Sequence, residues 1–549
     1  MNEPDVVVAG TGAAGMMAAI TAAHHGLRVL LVEKDAHFGG STARSGGGVW
    51  IPGNTRLRAA GADTDAEAAR TYLRHIVDGA SAPELQDAYL RHGPAALDLL
   101  LSQTPMRMNW VRGYSDYYPE APGGRPEGRS IEPAPFDGRL LGEDRALLNP
   151  PYMSAGLGIA ITQADYRWLN LVARHPRGLL TALRVGARSW FAKVRGREPL
   201  TLGQALAAGM WLAVRRAGID VWLDSPITGL EVDDAGVRVR VAHGGAEVTL
   251  RPGRGVVLAA GGFERNQAMR EEFGPTPINA EWSVGATANT GDAIALGRAL
   301  GAEVALMDDA WWAPSLPLPR GPVFLLAERS LPGSLLVNAA GDRFTNEAAP
   351  YVDAVHAMYA AHTEETPAVP AWLIFDQRYR DRYLFAGKGP RQGFSSKWYR
   401  SGALHKADTL EKLGAGIGVP GDALAATVAR FNTFADAGVD ADYHRGESAY
   451  DRYYGDPRNR PNPCLAALVK PPFYAARIVP GDLGTKGGLV TDERARVLRA
   501  DGTAIPGLYA AGNTSALVMG RTYAGPGATL GPAITFGYLA ALDLAGVTP

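Results

Sequence analysis

Cysteine is nearly absent from this chain. The 549 residues contain one, Cys464, so no intrachain disulfide can form, and the composition fits a reducing compartment. An excess of charge is missing too. Lysine and arginine total 55 and aspartate and glutamate 56, so no overall field draws the chain to nucleic acid, and no nucleic-acid partner is expected. No apolar run reaches the roughly 18 residues of a membrane-crossing helix. The opening Met1-Asn2-Glu3-Pro4 lacks the basic-then-apolar pattern of a secretory signal, and the expected location is cytoplasmic. No metal site is expected. Low-complexity tracts are absent although 67 residues are glycine. The glycines cluster locally, which suggests backbone packed against ligands and not disorder. With 46% hydrophobic and 20% charged residues, the composition is that of a soluble globular protein, long enough for two or three domains.

What is present begins at the N-terminus. Asp5 to Ala9 reads as a short buried strand. It leads into Gly10-Thr11-Gly12-Ala13-Ala14-Gly15, an apolar helix to about His25, and a second strand from Arg28 to Val32 that ends at Glu33. Here G-x-G-x-x-G sits at a strand–helix junction. Gly10 permits the tight turn, Gly12 lets a pyrophosphate approach, and Gly15 lets helix and strand pack closely. The helix N-terminus offers free N–H groups to phosphates. Glu33 is placed for ribose hydroxyls. In this context the motif predicts dinucleotide binding.

Three later segments favour FAD. Gly39 to Gly48 (GGSTARSGGG) follows the second strand and reads as a loop facing an extended ligand. Gly255 to Ala260, followed by Gly261-Gly262, reads as a buried strand that meets a ligand at its carboxyl end. Gly507 to Asn513 is another, and the helix after it starts near Gly527 to Gly531, where its positive end can stabilise charge on a reduced flavin. The chain thus leaves the nucleotide domain and returns to it. The expected fold is α/β: a Rossmann-like FAD-binding domain, residues 1–310 and 480–549, with an inserted α+β substrate domain, 311–479. That middle part is richer in Trp, Tyr, Phe and Pro. The expected FAD contacts are Gly10, Gly12, Ala13, Ala14, Gly15, Glu33, Lys34, Gly40, Ser41, Thr42, Ser45, Gly47, Gly48, Ala260, Gly261, Gly262, Asp292, Gly512, Asn513, Ala528 and Leu530. Neither histidine nor cysteine lies between Gly39 and Trp50, so FAD is expected to be bound non-covalently.

Arg167 to Arg197, within a basic insertion near 167–200, carries eight basic residues and no acid between its ends, with Leu179, Leu180, Leu183, Trp190, Phe191 and Val194 interleaved. Two readings stand. The favoured one is a solvated insertion packed on the nucleotide domain; the other is a basic amphipathic stretch in peripheral contact with a membrane. Gly178 and Gly186 weaken the expectation of a single helix.

The chain resembles, over nearly its whole length, the fumarate reductase and succinate dehydrogenase flavoprotein superfamily, and within it the 3-ketosteroid dehydrogenases, most closely the Δ1 type. The segments that carry the resemblance are Val6–Gly15, Ser45–Pro52, Gly113–Arg129, Asn346–Tyr351 (NEAAPY), Gly481–Leu489 (GDLGTKGGL) and Gly512–Pro532 (GNTSALVMGRTYAGPGATLGP). The family form usually has proline where Ala524 stands, a departure that shifts a turn without removing a functional group. Fumarate reductases place a catalytic arginine where Tyr351 stands and histidines where Leu483 and Gly484 stand. A phenol among apolar neighbours suits a neutral ketone better than a dicarboxylate.

The resemblance implies residue roles. Tyr351 is the base. The Tyr523 hydroxyl and the Gly527 N–H bind the ketone oxygen as an oxyanion hole. Tyr117 supports the base, with Tyr118 as the alternative. Tyr351 takes the proton beside the ketone, and hydride leaves the adjacent carbon for flavin nitrogen 5. The expected activity is 1,2-desaturation of ring A of a 3-ketosteroid, with an unidentified, quinone-like electron acceptor. The rivals are a Δ4-(5α)-dehydrogenase or another cyclic-ketone dehydrogenase, a fumarate-reductase-like enzyme, and a flavin electron carrier without substrate chemistry.

Overall fold

The computed structural model describes residues 3–62, 65–152 and 159–548. Its first sheet is six-stranded, in the order Arg496–Leu498, Ala504–Ala510, Gly255–Leu258, Val6–Ala9, Val29–Val32 and Asp220–Trp222. All neighbours are parallel except the first pair. Val6–Ala9, Val29–Val32 and Gly255–Leu258 are buried on both faces, which is why they read as continuous apolar runs without alternation.

The first strand delivers the chain into the helix Ala13–His24 through Gly10, at φ +106°. A Cβ on Gly10 would stand 2.3 Å from the Ala259 carbonyl oxygen, and one on Gly15 only 1.8 Å from the carbonyl oxygen of Gly10. No larger residue fits either position without moving a backbone. A second helix, Leu530–Leu544, packs along the first. The last long strand, Ala504–Ala510, pairs with Gly255–Leu258, so the C-terminal part of the chain rejoins the sheet that the N-terminal part began.

A second sheet is antiparallel and uses strands between Ala310 and Thr485. Its order is Gly321–Phe324, Ala310–Leu318, Phe473–Thr485, Ala371–Asp376 and Ser334–Val337, with Leu404–Ala407 also on the long strand. The 13-residue strand Phe473–Thr485 is its spine. The helix Tyr351–Ala360 packs against Ala310–Leu318. A three-stranded antiparallel meander, Ile227–Asp233, Gly236–His243 and Ala246–Leu250, stands beside the first sheet.

The basic stretch corrects one expectation. Pro176–Val194 is a single helix despite Gly178 and Gly186. Its start is fixed by His175, whose ring accepts from the Arg177 N–H, and by Pro176 in the first turn. Gly178 is required there, because a Cβ would meet the Leu171 carbonyl oxygen at 2.5 Å. Gly186 borders open space and costs only helix propensity. The helix packs on Gln163–Leu169 and pairs Arg184 and Arg188 with Asp165. Val185 faces inward, but the larger apolar residues point outward: Leu180 is 63% exposed, Trp190 60% and Val194 64%. Among the described residues no helix is long and apolar enough to cross a membrane.

Candidate active site

A cavity of about 1000 Å³ runs from the Gly10–Ala14 turn to the second sheet. At its nucleotide end the wall is backbone. The helix Ala13–His24 begins at Gly12 with no N-cap side chain and no acid in its first turn; the Ala13 N–H donates to Thr42 Oγ1 at 2.9 Å, and the positive end of the helix faces the cavity, where it favours a phosphate. A Cβ at Gly40 would meet nothing within 4 Å. The helix Leu530–Leu544 also starts uncapped and lines the cavity through Leu530. Uncapped helix starts, a glycine-lined wall and an extended cavity fit a dinucleotide such as FAD.

Most of the expected FAD contacts lie on this wall. Gly10, Gly12, Ala13, Ala14, Glu33, Lys34, Gly40, Ser41, Thr42, Ser45, Gly47, Gly48, Ala260, Gly261, Asp292, Gly512, Asn513 and Leu530 all line the cavity. Gly15, Gly262 and Ala528 stand behind it. Gly15 serves helix–strand packing, and a Cβ on Gly262 would clash with Thr485 Oγ1 at 2.1 Å. Glu33 is tied to the turn: its Oε2 accepts from the Thr11 N–H at 2.8 Å and the Thr11 hydroxyl at 2.6 Å. Burial pushes its carboxyl up, and those hydrogen bonds offset part of the rise. Lys34 donates to Asp292 at 2.7 Å, which ties the end of the second strand to the start of another helix. Asn289 also lines the cavity and was not foreseen; it donates to Ser41 Oγ at 3.1 Å, while Arg44, inside the Gly39–Gly48 segment, lines the cavity as well. A lone Asn outside a glycine motif gives no sequence mark of such a role.

The other end of the cavity is aromatic and apolar, with Tyr114, Tyr166, Phe324, Leu326, Tyr454 and Leu483 in its wall. Here four residues named from the sequence meet. Tyr351 opens the helix Tyr351–Ala360. Tyr523 and Gly527 lie in the segment before Leu530. Tyr117 comes from a loop whose N–H donates to the Ala524 carbonyl at 3.1 Å. That loop is fixed from beneath by the fully buried ion pair Asp116–Arg129, and Asp116 also accepts from Trp50 Nε1 at 2.8 Å. The Tyr117 hydroxyl donates to the Tyr351 oxygen at 3.0 Å. Tyr118 instead donates to Asp353 at 2.9 Å. Tyr117 stacks on Tyr523 with centroids 5.0 Å apart, and Tyr351 meets Tyr523 edge-on at 5.4 Å.

Gly527 has φ +98°, and a Cβ would stand 2.3 Å from the Gly48 backbone. Thr529 lies 3.1 Å from the Tyr523 hydroxyl. Burial pushes the Tyr523 phenol up, and Thr529, Tyr351 and the Gly527 N–H pull it partly back. Burial pushes Tyr351 well above its ordinary value, and the Tyr117 hydrogen bond offsets only part of this. Desolvation of a fully enclosed phenolate is the larger effect. Tyr454 lines the cavity with Tyr114, and Tyr450 and Tyr453 from the same short helix pack behind them, on Tyr117 and Tyr114. The run Tyr450-Asp451-Arg452-Tyr453-Tyr454 was visible in the sequence, yet nothing local tied it to the site.

A glycine-walled dinucleotide cavity that ends in a phenol cluster defines a flavoprotein oxidoreductase. The family model described as FAD binding domain matches residues 5–530. The chain is 55% identical to 3-oxosteroid 1-dehydrogenase of Mycobacterium tuberculosis, over 99% of both chains, and 53% identical to 3-oxosteroid 1-dehydrogenase of Mycolicibacterium smegmatis, over 99% of this chain and 97% of that one. Its structure superposes on 3-ketosteroid Δ1-dehydrogenase of Sterolibacterium denitrificans, solved in complex with 1,4-androstadiene-3,17-dione, with a TM-score of 0.93, 40% identity and full coverage of both chains. The chain belongs to the 3-oxosteroid 1-dehydrogenase family of FAD-binding flavoproteins.

Proposed function

We propose that the protein is an FAD-dependent dehydrogenase that introduces a double bond between carbons 1 and 2 of ring A of 3-ketosteroids. The observation that carries this reading is the meeting of Tyr351, Tyr523, Tyr117 and the Gly527 N–H at the apolar end of the cofactor cavity. The Tyr523 hydroxyl and the Gly527 N–H donate to the ketone oxygen and stabilise the enolate charge as it develops. Tyr351, as phenolate, takes the proton from the carbon beside the ketone. Tyr117 donates to the ionised Tyr351 oxygen and holds its ring in place. Bound FAD supplies the hydride acceptor. The apolar wall excludes water and receives the hydrocarbon skeleton of the substrate. Tyr351 also separates this reading from a fumarate-reductase-like one, because a phenol offers a dicarboxylate no counter-charge. Anaerobic bleaching of FAD by a 3-ketosteroid, with formation of the 1,2-unsaturated product, is the expected result. Unsaturation at carbons 4 and 5, or bleaching by a dicarboxylate alone, would refute it.

The exposed face of Pro176–Val194 supports peripheral membrane contact. Leu179, Leu180, Leu183, Trp190, Phe191 and Val194 fall on one outward side, flanked by Arg177, Arg184, Lys193 and Arg195. Sterols and a quinone-like electron acceptor dissolve in the adjoining bilayer. Co-sedimentation with anionic liposomes should fall when Leu180, Trp190 and Phe191 are replaced by serine; equal binding by that variant removes this face from the account.

A further inference from the structure

Lys486 follows the last residue of the strand Phe473–Thr485 and is fully buried, although it does not line the cavity. An ammonium in such a place is unfavourable unless it is paired. Its Nζ donates to Asp309 Oδ2 at 3.1 Å and stands 5.0 Å from the centroid of the Trp311 ring. Asp309 Oδ1 accepts from Trp312 Nε1 at 2.6 Å and lies 2.9 Å from His356 Nε2. Burial pushes the Asp309 carboxyl up, but Lys486 and His356 outweigh it and hold the group at about 2.

Both branches of this cluster end at the phenols. His356 sits on the helix that Tyr351 begins. The Trp311 ring meets the Tyr523 ring edge-on at 4.8 Å, and its Nε1–H donates to Asn513 Oδ1 at 3.1 Å on the cavity wall. A cation over an indole draws on the electron density of the ring, which strengthens the indole N–H as a donor. In a low-dielectric interior it also favours negative charge one ring away, where the enolate forms.

We propose that Lys486 is a positioning residue of the dehydrogenation, setting Tyr523 and Asn513 through Trp311, and the Tyr351 helix through Asp309 and His356. This rests on the roles given above to Tyr351 and Tyr523. Tyr351 and Tyr523 reach the site from separate elements of the chain, and Lys486 is the buried charge that both supports share.

The test uses the FAD-loaded enzyme. Lys486→Met keeps most of the aliphatic stem and removes the charge. We expect kcat to fall by at least about fivefold, less than the ~10²–10³-fold cost of losing a direct oxyanion donor. Bound FAD per chain, and steroid affinity read from the FAD absorbance change, should stay within about twofold, since binding surfaces are untouched. Combined with Trp311→Phe, the loss should barely exceed that of the worse single variant, because both lie on one path. A smaller fall in kcat, losses that multiply in the double variant, or a fall that tracks lost FAD would each overturn the proposal. If Lys486→Met does not fold, Lys486→Met with Asp309→Asn removes both buried charges. Activity within about fivefold of the parent in that variant overturns the proposal, and a larger loss with FAD retained supports it. Tyr523→Phe run in parallel separates the two readings: if it leaves kcat intact the tyrosine roles fail, whereas a silent Lys486→Met beside an impaired Tyr523→Phe sinks only the role of Lys486.

Discussion

Replacing Tyr351 by phenylalanine removes one oxygen from the centre of the site. The ring stays held by Phe324 at 5.0 Å, Tyr523 at 5.4 Å and Tyr117 at 5.5 Å. Among the described residues, the hydrogen bond lost is that from Tyr117, worth about 1 kcal/mol of stability. Folding, FAD binding and steroid binding should therefore survive. General-base catalysis contributes roughly 10²–10⁴-fold, or about 3–5 kcal/mol of barrier. The assay is the anaerobic rate of FAD bleaching under saturating 3-ketosteroid, with steroid binding measured separately. Because burial lifts Tyr351 well above an ordinary phenol, little of it is ionised at neutral pH. The parent rate should climb by about tenfold per pH unit through the alkaline range while the base is below its pKa. A Tyr351→Phe variant that kept more than about a tenth of the rate, or kept this alkaline limb, would move the base to another residue.

Tyr117→Phe should displace the alkaline limb upward by about 1–2 pH units, because a hydrogen bond to a charged group is worth about 1.5–3 kcal/mol. Tyr523→Phe should lower the rate by about 10²–10³-fold without displacing the limb, and a displaced limb would count against its role as donor. Burial raises the Glu264 carboxyl to about 7, with the Asp482 charge adding to the rise, and its Oε2 has no hydrogen-bond partner among the described residues. A folded-state value above the unfolded one of about 4.3 gives stability below that pH which is lost as pH rises through 7, roughly 4 kcal/mol in all. Glu264→Gln should thus raise the melting temperature at pH 8 and leave it nearly unchanged at pH 4; a lower melting temperature at pH 8 would refute this. Acid precipitation should release all FAD into the supernatant, and yellow colour left on the pellet would show a covalent link.

Local spacing made the nucleotide end legible. The Gly10–Gly15 turn can be filled only one way, since Gly10 and Gly15 each face a carbonyl oxygen closer than a Cβ allows. The buried strands read as apolar runs because parallel neighbours cover both faces. The walls of the steroid end were less legible. Tyr114, Tyr166 and Tyr454 are ordinary aromatics in their own segments, and only the fold brings them around Tyr351. The basic helix is a related case. Its glycines argued against it locally, but Gly178 is what lets it approach the preceding helix.

By itself, then, the sequence determined the dinucleotide turn, the return of the chain to its first sheet, and the resemblance that named Tyr351, Tyr523 and Gly527. These rest on residues near in sequence or on motifs that survive without neighbours. The tertiary structure alone gives Tyr117 and Tyr118 different partners: of these adjacent side chains in one loop, the first meets Tyr351 and the second Asp353. It alone placed the Lys486 ammonium behind Trp311, and it alone gave burial the upper hand over Tyr117 at the Tyr351 phenol. Desolvation is a property of everything that surrounds a group, and most of what surrounds these groups lies hundreds of residues away along the chain.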